Sequence, residues 1–254
     1  MPTALALSPH LDDAAFSCGG LLHALARDGW RVVMATLFTA SVEAPTGFAL
    51  ACQTDKGLGP EVDYMDLRRG EDAEAARCLG IESPRHLPFR EAPHRGYGSA
   101  PELFGDVSAD DRVVPDLTRA IRELLAEFAP DLLLAPQAVG GHVDHVQVVR
   151  AIDAAGPDAP ILWWRDFPYT VRSHDPKEPL RARFRDLHQT ECRFGAGGQA
   201  AKEAACAAYT TQLGFQFGGP EGLAKRLAEE AGIERFRRQG VLPERAARLV
   251  ADVA

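Results

Sequence analysis

Two short segments of this sequence carry histidine and aspartate at spacings that suit metal ligation. The first, HLDD, occupies residues 10–13, and the second, HVDH, occupies residues 142–145. In each segment, side chains at positions i and i+3 can converge across one turn. Zinc in a catalytic site takes three ligands, imidazole nitrogens and carboxylate oxygens among them, and keeps a fourth position for water. The two segments together therefore predict a zinc-type site.

The first segment also leaves one carboxylate over. Three ligands are available if HLDD supplies His10 and Asp13 and HVDH supplies His145. Asp12 then lies beside the metal without ligating it, where it could act as a general base on a water molecule. A protein that only binds metal does not need this extra carboxylate, so its presence favours an enzyme over a noncatalytic metal-binding protein.

The second segment leaves His142 and Asp144 over. His142 could protonate a leaving group or stabilise an oxyanion, and Asp144 could orient a histidine as an outer partner. A lone HLDD would carry less weight, because adjacent aspartates at a helix start are often only a helix cap. Two such segments, each after an apolar run, are much harder to obtain by accident.

Apolar runs alternate with amphipathic segments along the chain and must position these residues. Residues 3–8, 30–39 and 131–136 are typical of buried parallel strands, and helical spacing runs over 65–80 and 115–130. Strand–helix alternation predicts an α/β fold with a mostly parallel sheet. Ligands of such sheets bind beyond the carboxyl ends of the strands, and both His/Asp segments follow a predicted strand.

We expect one domain over residues 1–254, because no repeat or linker-like shift in composition divides the chain. Residues 40–64 and 91–114 are rich in Pro and Gly, and we expect loops there that determine specificity. Residues 196–213 and 221–238 are predicted to form two further helices.

Composition excludes several classes of protein. The net charge of −8, from 28 basic and 36 acidic side chains, argues against a nucleic-acid partner. No apolar run approaches the roughly 18 residues that a membrane span requires. The N-terminal residues lack a basic segment before their short apolar run, and the five cysteines form no CxxC pair. We therefore expect a cytoplasmic protein with reduced thiols, and the oligomeric state stays open, a homo-oligomer included.

Longer stretches around the two motifs carry a family likeness. SPHLDDAAFSCGG at 8–20, with GGHVDHVQV at 140–148, resembles the PIG-L/LmbE-like family of zinc-dependent N-deacetylases, and the stretches at 67–80, 163–170 and 202–212 also fit. The resemblance implies a Rossmann-like three-layer α/β fold and one Zn²⁺ per chain. It implies removal of an N-acetyl or similar acyl group from a small amino-sugar substrate of the N-acetylglucosamine type.

The resemblance also implies a role for each motif residue. By position it assigns zinc binding to His10, Asp13 and His145. Asp12 would be the general base. His142 would be the electrophilic or acid residue, assisted by Asp144, and either Asp12 or His142 would protonate the leaving amine.

The chain departs from the family pattern at several positions, among them Leu11 and Ala14, where many members have Pro and an acidic residue. Some members have a tyrosine shortly before the second motif, where this sequence has VGG at 139–141. A substrate-facing aspartate is expected after the third strand, and Glu91 stands in its place with Arg95 close by. We therefore expect Glu91 and Arg95 to contact the substrate.

Two further residues are candidates for the substrate site. Arg68 could hold a sugar hydroxyl or a carboxylate with its planar guanidinium, or it could be a surface arginine paired with Glu71. Asp166 follows a predicted strand at the same sheet edge, where it could position an active-site group or cap the next turn.

Other functions remain as alternatives. An amidase of a sugar-linked thiol conjugate would use the same site, and a noncatalytic sugar- or metal-binding protein could keep the fold. A two-metal phosphoesterase would need more bridging carboxylates than this sequence offers. A nicotinamide-dependent enzyme would need G-x-G-x-x-G after the first strand, and SPHLDDAAFSCGG has none.

Overall fold

The computed structural model describes residues 1–253. The strands are β1 (Thr3–Ser8), β2 (Arg31–Thr36), β3 (Arg85–His86), β4 (Leu132–Pro136), β5 (Ile161–Trp164), β6 (His188–Arg193), β7 (Ile233–Gln239) and β8 (Ala251–Asp252). The helices are α1 (Asp13–Arg27), α2 (Gly47–Thr54), α3 (Tyr64–Leu79), α4 (Ala100–Leu103), α5 (Val113–Phe128), α6 (Val143–Ala155), α7 (Tyr169–Arg172), α8 (Arg181–Phe184), α9 (Ala196–Ala207), α10 (Thr210–Phe217), α11 (Pro220–Glu230) and α12 (Glu244–Ala247), with a 3₁₀ turn at Ala92–His94. Among these helices, none is both long enough and apolar enough to cross a membrane.

One sheet of eight strands runs in the order β3-β2-β1-β4-β5-β7-β6-β8. The first five strands along the chain pair in parallel, and the last three add antiparallel pairs at one side. Strands β1, β2 and β3 follow one another toward one edge of the sheet, and the chain then returns so that β4 pairs with the other side of β1. The strand order therefore reverses between β1 and β4. A crevice opens beyond the carboxyl ends of two strands at such a point, and the loops that follow β1 and β4 carry the two His/Asp segments.

Helices cover both faces of the sheet. Along β1, Ala4 and Ala6 point into the core beneath α1, α3 and α9, whereas Leu5 and Leu7 point into the core beneath α5 and α6. Side chains of a strand alternate between the two faces, and both faces of β1 are fully buried. The three-layer α/β fold with a mostly parallel sheet is therefore confirmed.

The predicted helix over residues 221–238 is wrong in its second half. The helix α11 ends at Glu230, and residues 233–239 form β7, which pairs antiparallel to β5 and β6. The run IERFRRQ lacks the continuous apolar character of a buried strand. Its charged side chains find partners on distant segments instead, for example Arg235 Nε with Glu191 Oε1 at 3.0 Å.

The helix α1 is interrupted close to the first motif. Cys18 has non-helical angles (φ −140°, ψ 20°), so the helix divides into two pieces. The backbone N–H groups of Gly20 and Leu21, at the start of the second piece, donate to Glu234 Oε1 and Oε2 at 2.8 Å each. Lys202 Nζ lies 2.9 Å from Glu234 Oε1 and balances this buried carboxylate. These contacts at the interruption connect α1 to β7 and, through Lys202, to α9.

Candidate metal centre and active site

The three predicted ligands come together around one carboxylate oxygen. His10 follows β1, Asp13 begins α1, and His145 lies in the first turn of α6. Asp13 Oδ2 lies 3.2 Å from His10 Nδ1 and 3.1 Å from His145 Nε2. The buried His145 Nε2 has no hydrogen-bond partner in the described chain, so its contact with Asp13 lacks hydrogen-bond geometry. Ligand atoms on one tetrahedral zinc ion lie roughly 3.3 Å apart, and this donor set therefore fits zinc.

The far nitrogen of each ligand histidine is held by a carboxylate. His10 Nε2 lies 3.0 Å from Asp144 Oδ2, and His145 Nδ1 lies 2.8 Å from Asp166 Oδ1. Histidines that bind metals usually donate their other ring N–H to a carboxylate, which fixes the tautomer and the ring orientation. These bonds leave His10 Nδ1 and His145 Nε2 as the free nitrogens, and both face Asp13.

His142 is a further neighbour of the same centre. Nitrogens of His10, His142 and His145 lie within 4.8 Å of one another. His142 also forms the N-cap of α6, and its Nδ1 accepts a hydrogen bond from the Asp144 backbone N–H at 3.2 Å. In the neutral ring the proton then sits on Nε2. Burial, together with repulsion from His10, lowers the pKa of His142 to about 3, so the ring is a neutral hydrogen-bond donor.

Asp12 lines the cavity beside this centre. It is the residue before α1, but its side chain makes no capping bond, so the simple helix-cap reading does not hold. Burial and the adjacent Asp13 raise the pKa of Asp12 to about 7, and Arg68 opposes this rise. A cation held by Asp13 would lower that pKa and keep the Asp12 carboxylate ionised.

The centre is rich in negative charge. Burial alone would lower the pKa of His145, but Asp13 and Asp166 outweigh it and raise the pKa to about 9. Burial would likewise lower the pKa of His10, but the hydrogen bonds that Asp13 and Asp144 accept from its ring outweigh burial and raise that pKa above its ordinary value. The carboxylates at this centre therefore favour positive charge between them, whether as protons or as a metal ion.

Arg68 and Glu91 both line a cavity of about 300 Å³ above the centre. Arg68 is only 4% exposed, and its NH1 donates to Glu91 Oε1 at 2.6 Å. Its Nε is buried without a partner among residues 1–253. The surface pair with Glu71 is absent, because Glu71 accepts hydrogen bonds from Thr210 and Thr211 instead.

Arg95 and Asp166, predicted to contact substrate, do not line the cavity. Arg95 NH2 donates to Asp111 Oδ2 at 2.8 Å and to Asp144 Oδ1 at 2.6 Å. Asp166 lies beneath His145 and is 1% exposed. Both side chains are occupied in orienting other groups, so we reassign them as positioning residues.

The side chain of Asp144 contacts a different histidine from the one that the family resemblance implied. The resemblance implied that Asp144 assists His142, but its Oδ2 lies 4.0 Å from His142 Nδ1, too far for a hydrogen bond. Its carboxylate instead accepts from His10, Arg95 and the Ala92 backbone N–H. Asp144 therefore orients His10, and only its backbone contacts His142.

Several residues at the cavity were not predicted. They share an apolar or amide character, and they are Phe48, Leu103, Phe104, Tyr169, Phe215 and Gln216. Tyr169 packs over Gly140, whose φ is +95° and whose added Cβ would lie 2.4 Å from the tyrosine ring. The glycine pair before His142 was the available signal for a close approach by another residue.

The fold and the centre together define an α/β protein with a His/Asp metal site at the strand-order reversal. The family model described as "PIG-L: GlcNAc-PI de-N-acetylase" matches residues 5–156, and the chain belongs to this family. The family that the two motifs indicated is thereby confirmed.

Two curated relatives match part of the chain. A 2'-N-acetylparomamine deacetylase of Streptomyces fradiae is 38% identical over 167 residues, which cover 65% of this chain and 57% of the relative. A 1D-myo-inositol 2-acetamido-2-deoxy-alpha-D-glucopyranoside deacetylase of Corynebacterium kroppenstedtii is 28% identical over 169 residues, which cover 61% of this chain and 41% of the relative. The chain thus spans about half the length of these relatives.

A solved structure matches nearly the whole chain. The zinc-inhibited form of teicoplanin deacetylase Orf2 superposes with a TM-score of 0.79 at 26% identity. The match covers 99% of this chain and 98% of that structure. The likeness therefore includes the antiparallel C-terminal strands, which lie outside the part that the family model matches.

Proposed function

We propose that this protein is a zinc-dependent hydrolase that removes an N-acetyl group from a small amino-sugar-type substrate, and that it acts in the cytoplasm. The observation that carries the proposal is the placement of Asp12 on the cavity that His10 and Asp13 also line, with His145 Nε2 3.1 Å from Asp13 Oδ2. Relatives described as deacetylases of acetylated amino sugars and of teicoplanin support this chemistry.

We assign the zinc ligands to His10, Asp13 and His145, as the sequence motifs predicted. A zinc ion held there supplies a Lewis acid for the amide carbonyl and lowers the pKa of a water molecule. One ion per chain is expected, since the single cluster of potential ligands within residues 1–253, His10 with His142 and His145, shares two histidines with this set.

Asp12 is the proposed general base. Its carboxylate adjoins the ligand Asp13 in sequence and faces the cavity, so it can accept a proton from water that attacks the amide carbon. The proton that Asp12 accepts can then pass to the nitrogen of the leaving amine. His142 is less suited to this transfer. Its low pKa keeps the ring neutral at neutral pH, so it lacks the second ring proton that an imidazolium would donate.

His142 is the proposed stabiliser of the carbonyl oxygen. Its Nδ1 is occupied by the Asp144 backbone N–H, so the remaining Nε2–H is free to donate a hydrogen bond. A preorganised donor aimed at a developing oxyanion contributes roughly 3–4 kcal/mol to catalysis in comparable sites. This N–H takes the place of the tyrosine that some relatives carry before the second motif.

The cavity suits one sugar residue with its acetamide. Its volume of about 300 Å³ lies at the lower limit of ligand sites, which span roughly 300–1,000 Å³. Arg68 and Glu91 both line the cavity, where the guanidinium can donate to a sugar hydroxyl and the carboxylate can accept from one. Phe104 and Phe215, both exposed, provide apolar walls for whatever the sugar is attached to.

The experiment compares zinc-loaded wild type with Asp12→Asn on a panel of N-acetylated amino sugars and sugar conjugates. We expect acetate release by the wild type and a decrease of kcat by about 10²- to 10⁴-fold in the variant, with one zinc per chain in both. Asp153→Asn, at an exposed aspartate of α6 that pairs with Arg183, is the matched control and should keep full activity. Full activity of Asp12→Asn would rule out Asp12 as the base, and no acetate release by the wild type from any acetamide would refute the proposed function.

A further inference from the structure

A glutamine from the C-terminal part of the chain contacts the proposed base. Gln216 lies in the last turn of α10, and its Nε2 donates a hydrogen bond to Asp12 Oδ2 at 2.9 Å. The two residues are 204 positions apart, and Gln216 lies outside residues 5–156 that the family model matches. Gln216 therefore reaches the Asp12 of the first motif only through the tertiary fold.

Gln216 is itself held in place. Its backbone carbonyl accepts a hydrogen bond from Arg172 NH2 at 2.6 Å. The next residue, Phe217, packs its ring against Phe16 of α1 and Phe167, with ring centroids 5.4 and 6.0 Å apart. These contacts hold the backbone at Gln216 and Phe217, and the hydrogen bond to Asp12 orients the half-buried Gln216 amide.

The contact distinguishes the two oxygens of Asp12. Oδ2 accepts from Gln216 and lies 3.9 Å from Arg68 NH2. Oδ1 accepts no hydrogen bond from any residue that the structure describes. Oδ2 therefore already accepts a hydrogen bond, whereas Oδ1 is free to accept a proton.

We propose that Gln216 is a positioning residue that fixes the Asp12 carboxylate and leaves Oδ1 as the oxygen that accepts the proton. The inference rests on the proposed function, because it assigns a partner to the proposed base. A base held in one orientation needs no rearrangement before the reaction, and a misplacement of about 1 Å costs roughly 10²-fold in rate. The active site is then completed by a helix that lies after the family-matched part of the chain.

Gln216 also lines the cavity, so it has a second conceivable role as a substrate ligand. The two roles differ kinetically. A residue that positions the base lowers kcat and leaves KM unchanged when it is lost, whereas a residue that binds substrate uniformly raises KM and leaves kcat unchanged.

The test uses Gln216→Leu and Gln216→Glu in the zinc-loaded full chain. Leucine removes the donor at similar size, and glutamate keeps the shape but places a carboxylate against Asp12. We expect kcat to fall about 10- to 100-fold in both variants, with KM within about twofold of wild type and one zinc retained. Gln199→Leu on α9, which lies outside the cavity, is the matched control and should behave as wild type.

A crystal structure of zinc-loaded Gln216→Leu gives a readout independent of turnover. We expect the Asp12 carboxylate to leave its wild-type orientation while the ligands His10, Asp13 and His145 stay in place. An unchanged Asp12 orientation, an unchanged kcat, or a rise in KM alone would overturn the proposal. If the wild type cleaves no acetamide, the proposed function fails, and the Asp12 orientation in the two structures still decides the positioning role.

Discussion

Asp166→Asn tests how much the metal centre depends on a carboxylate that holds the far nitrogen of a proposed ligand and does not line the cavity. Asp166 Oδ1 accepts from His145 Nδ1, and Asp166 Oδ2 accepts from the Val139 backbone N–H, both at 2.8 Å. Asparagine keeps the shape but has one acceptor oxygen and one NH₂ donor. Whichever way the amide is turned, one of the two buried N–H groups faces another donor.

The magnitude follows from these two bonds. A buried donor that loses a charged acceptor costs about 1.5–3 kcal/mol. Loss of a carboxylate behind a ligand histidine weakens metal binding by about 10- to 100-fold, which corresponds to roughly 1.4–2.8 kcal/mol. We therefore expect Asp166→Asn to bind zinc about 10- to 100-fold more weakly, and its zinc-free form to be less stable by about 1–3 kcal/mol.

Zinc affinity is measured by competition with a chromophoric chelator, and stability by urea unfolding of the chelator-treated protein. Asp153→Asn is again the control, because this aspartate pairs with Arg183 at the surface and exposed pairs contribute little. Zinc affinity of Asp166→Asn within about threefold of wild type would refute the orienting role, since the expected loss starts near tenfold.

Two further predictions concern buried charge. Lys202→Met should lower the free energy of unfolding by about 3–5 kcal/mol in urea titrations, because the buried Glu234 and the half-buried Glu230 lose their shared cation. The exposed Lys225→Met is the control, and a change below about 1 kcal/mol for Lys202→Met would contradict the expectation. Zinc binding should release protons at pH 7 and weaken as the pH falls, because the raised pKa of His145, about 9, keeps its ring protonated until a metal ion displaces the proton. Calorimetry in two buffers of different ionisation enthalpy measures this release, and equal heats in both would contradict it.

The proposed metal ligands could be identified as candidates from sequence because each comes from a short contiguous motif after a buried strand. The parallel half of the sheet could be predicted equally well from the sequence, since β1 and β4 are short apolar runs. Local patterns suffice where a residue's partners lie within a few positions or where burial alone determines the residue type.

The other contacts depend on partners distant in sequence. The sequence alone could not distinguish Arg95 from a substrate-binding residue. Its partners Asp111 and Asp144 come close to it only in the folded chain. Gln216 gave no signal at all, since a glutamine between two phenylalanines has no pattern that points to Asp12. The strand β7 was missed for the same reason, as its charged residues are neutralised by β6, β8 and α9 and not by their own neighbours.

We keep the prediction of one domain over residues 1–254. The proposed zinc ligands lie in the part that the family model matches, but the carboxylate behind His145 and the amide on Asp12 lie after residue 156. A fragment that ended at residue 156 would contain all three ligands and lack both of these supports.

The interruption of α1 at Cys18 has a consequence for the order in which the chain acquires its structure. The N–H groups of Gly20 and Leu21 obtain their acceptors from Glu234, more than 200 positions away. Contacts of such sequence separation form late, because the intervening chain must first be brought into place. The ribosome makes the HLDD segment long before residue 234, so the helix that follows HLDD cannot be fully bonded until residue 234 has been made. The helix that begins at Asp13 thus acquires its last backbone partners from a part of the chain that lies beyond all three proposed zinc ligands.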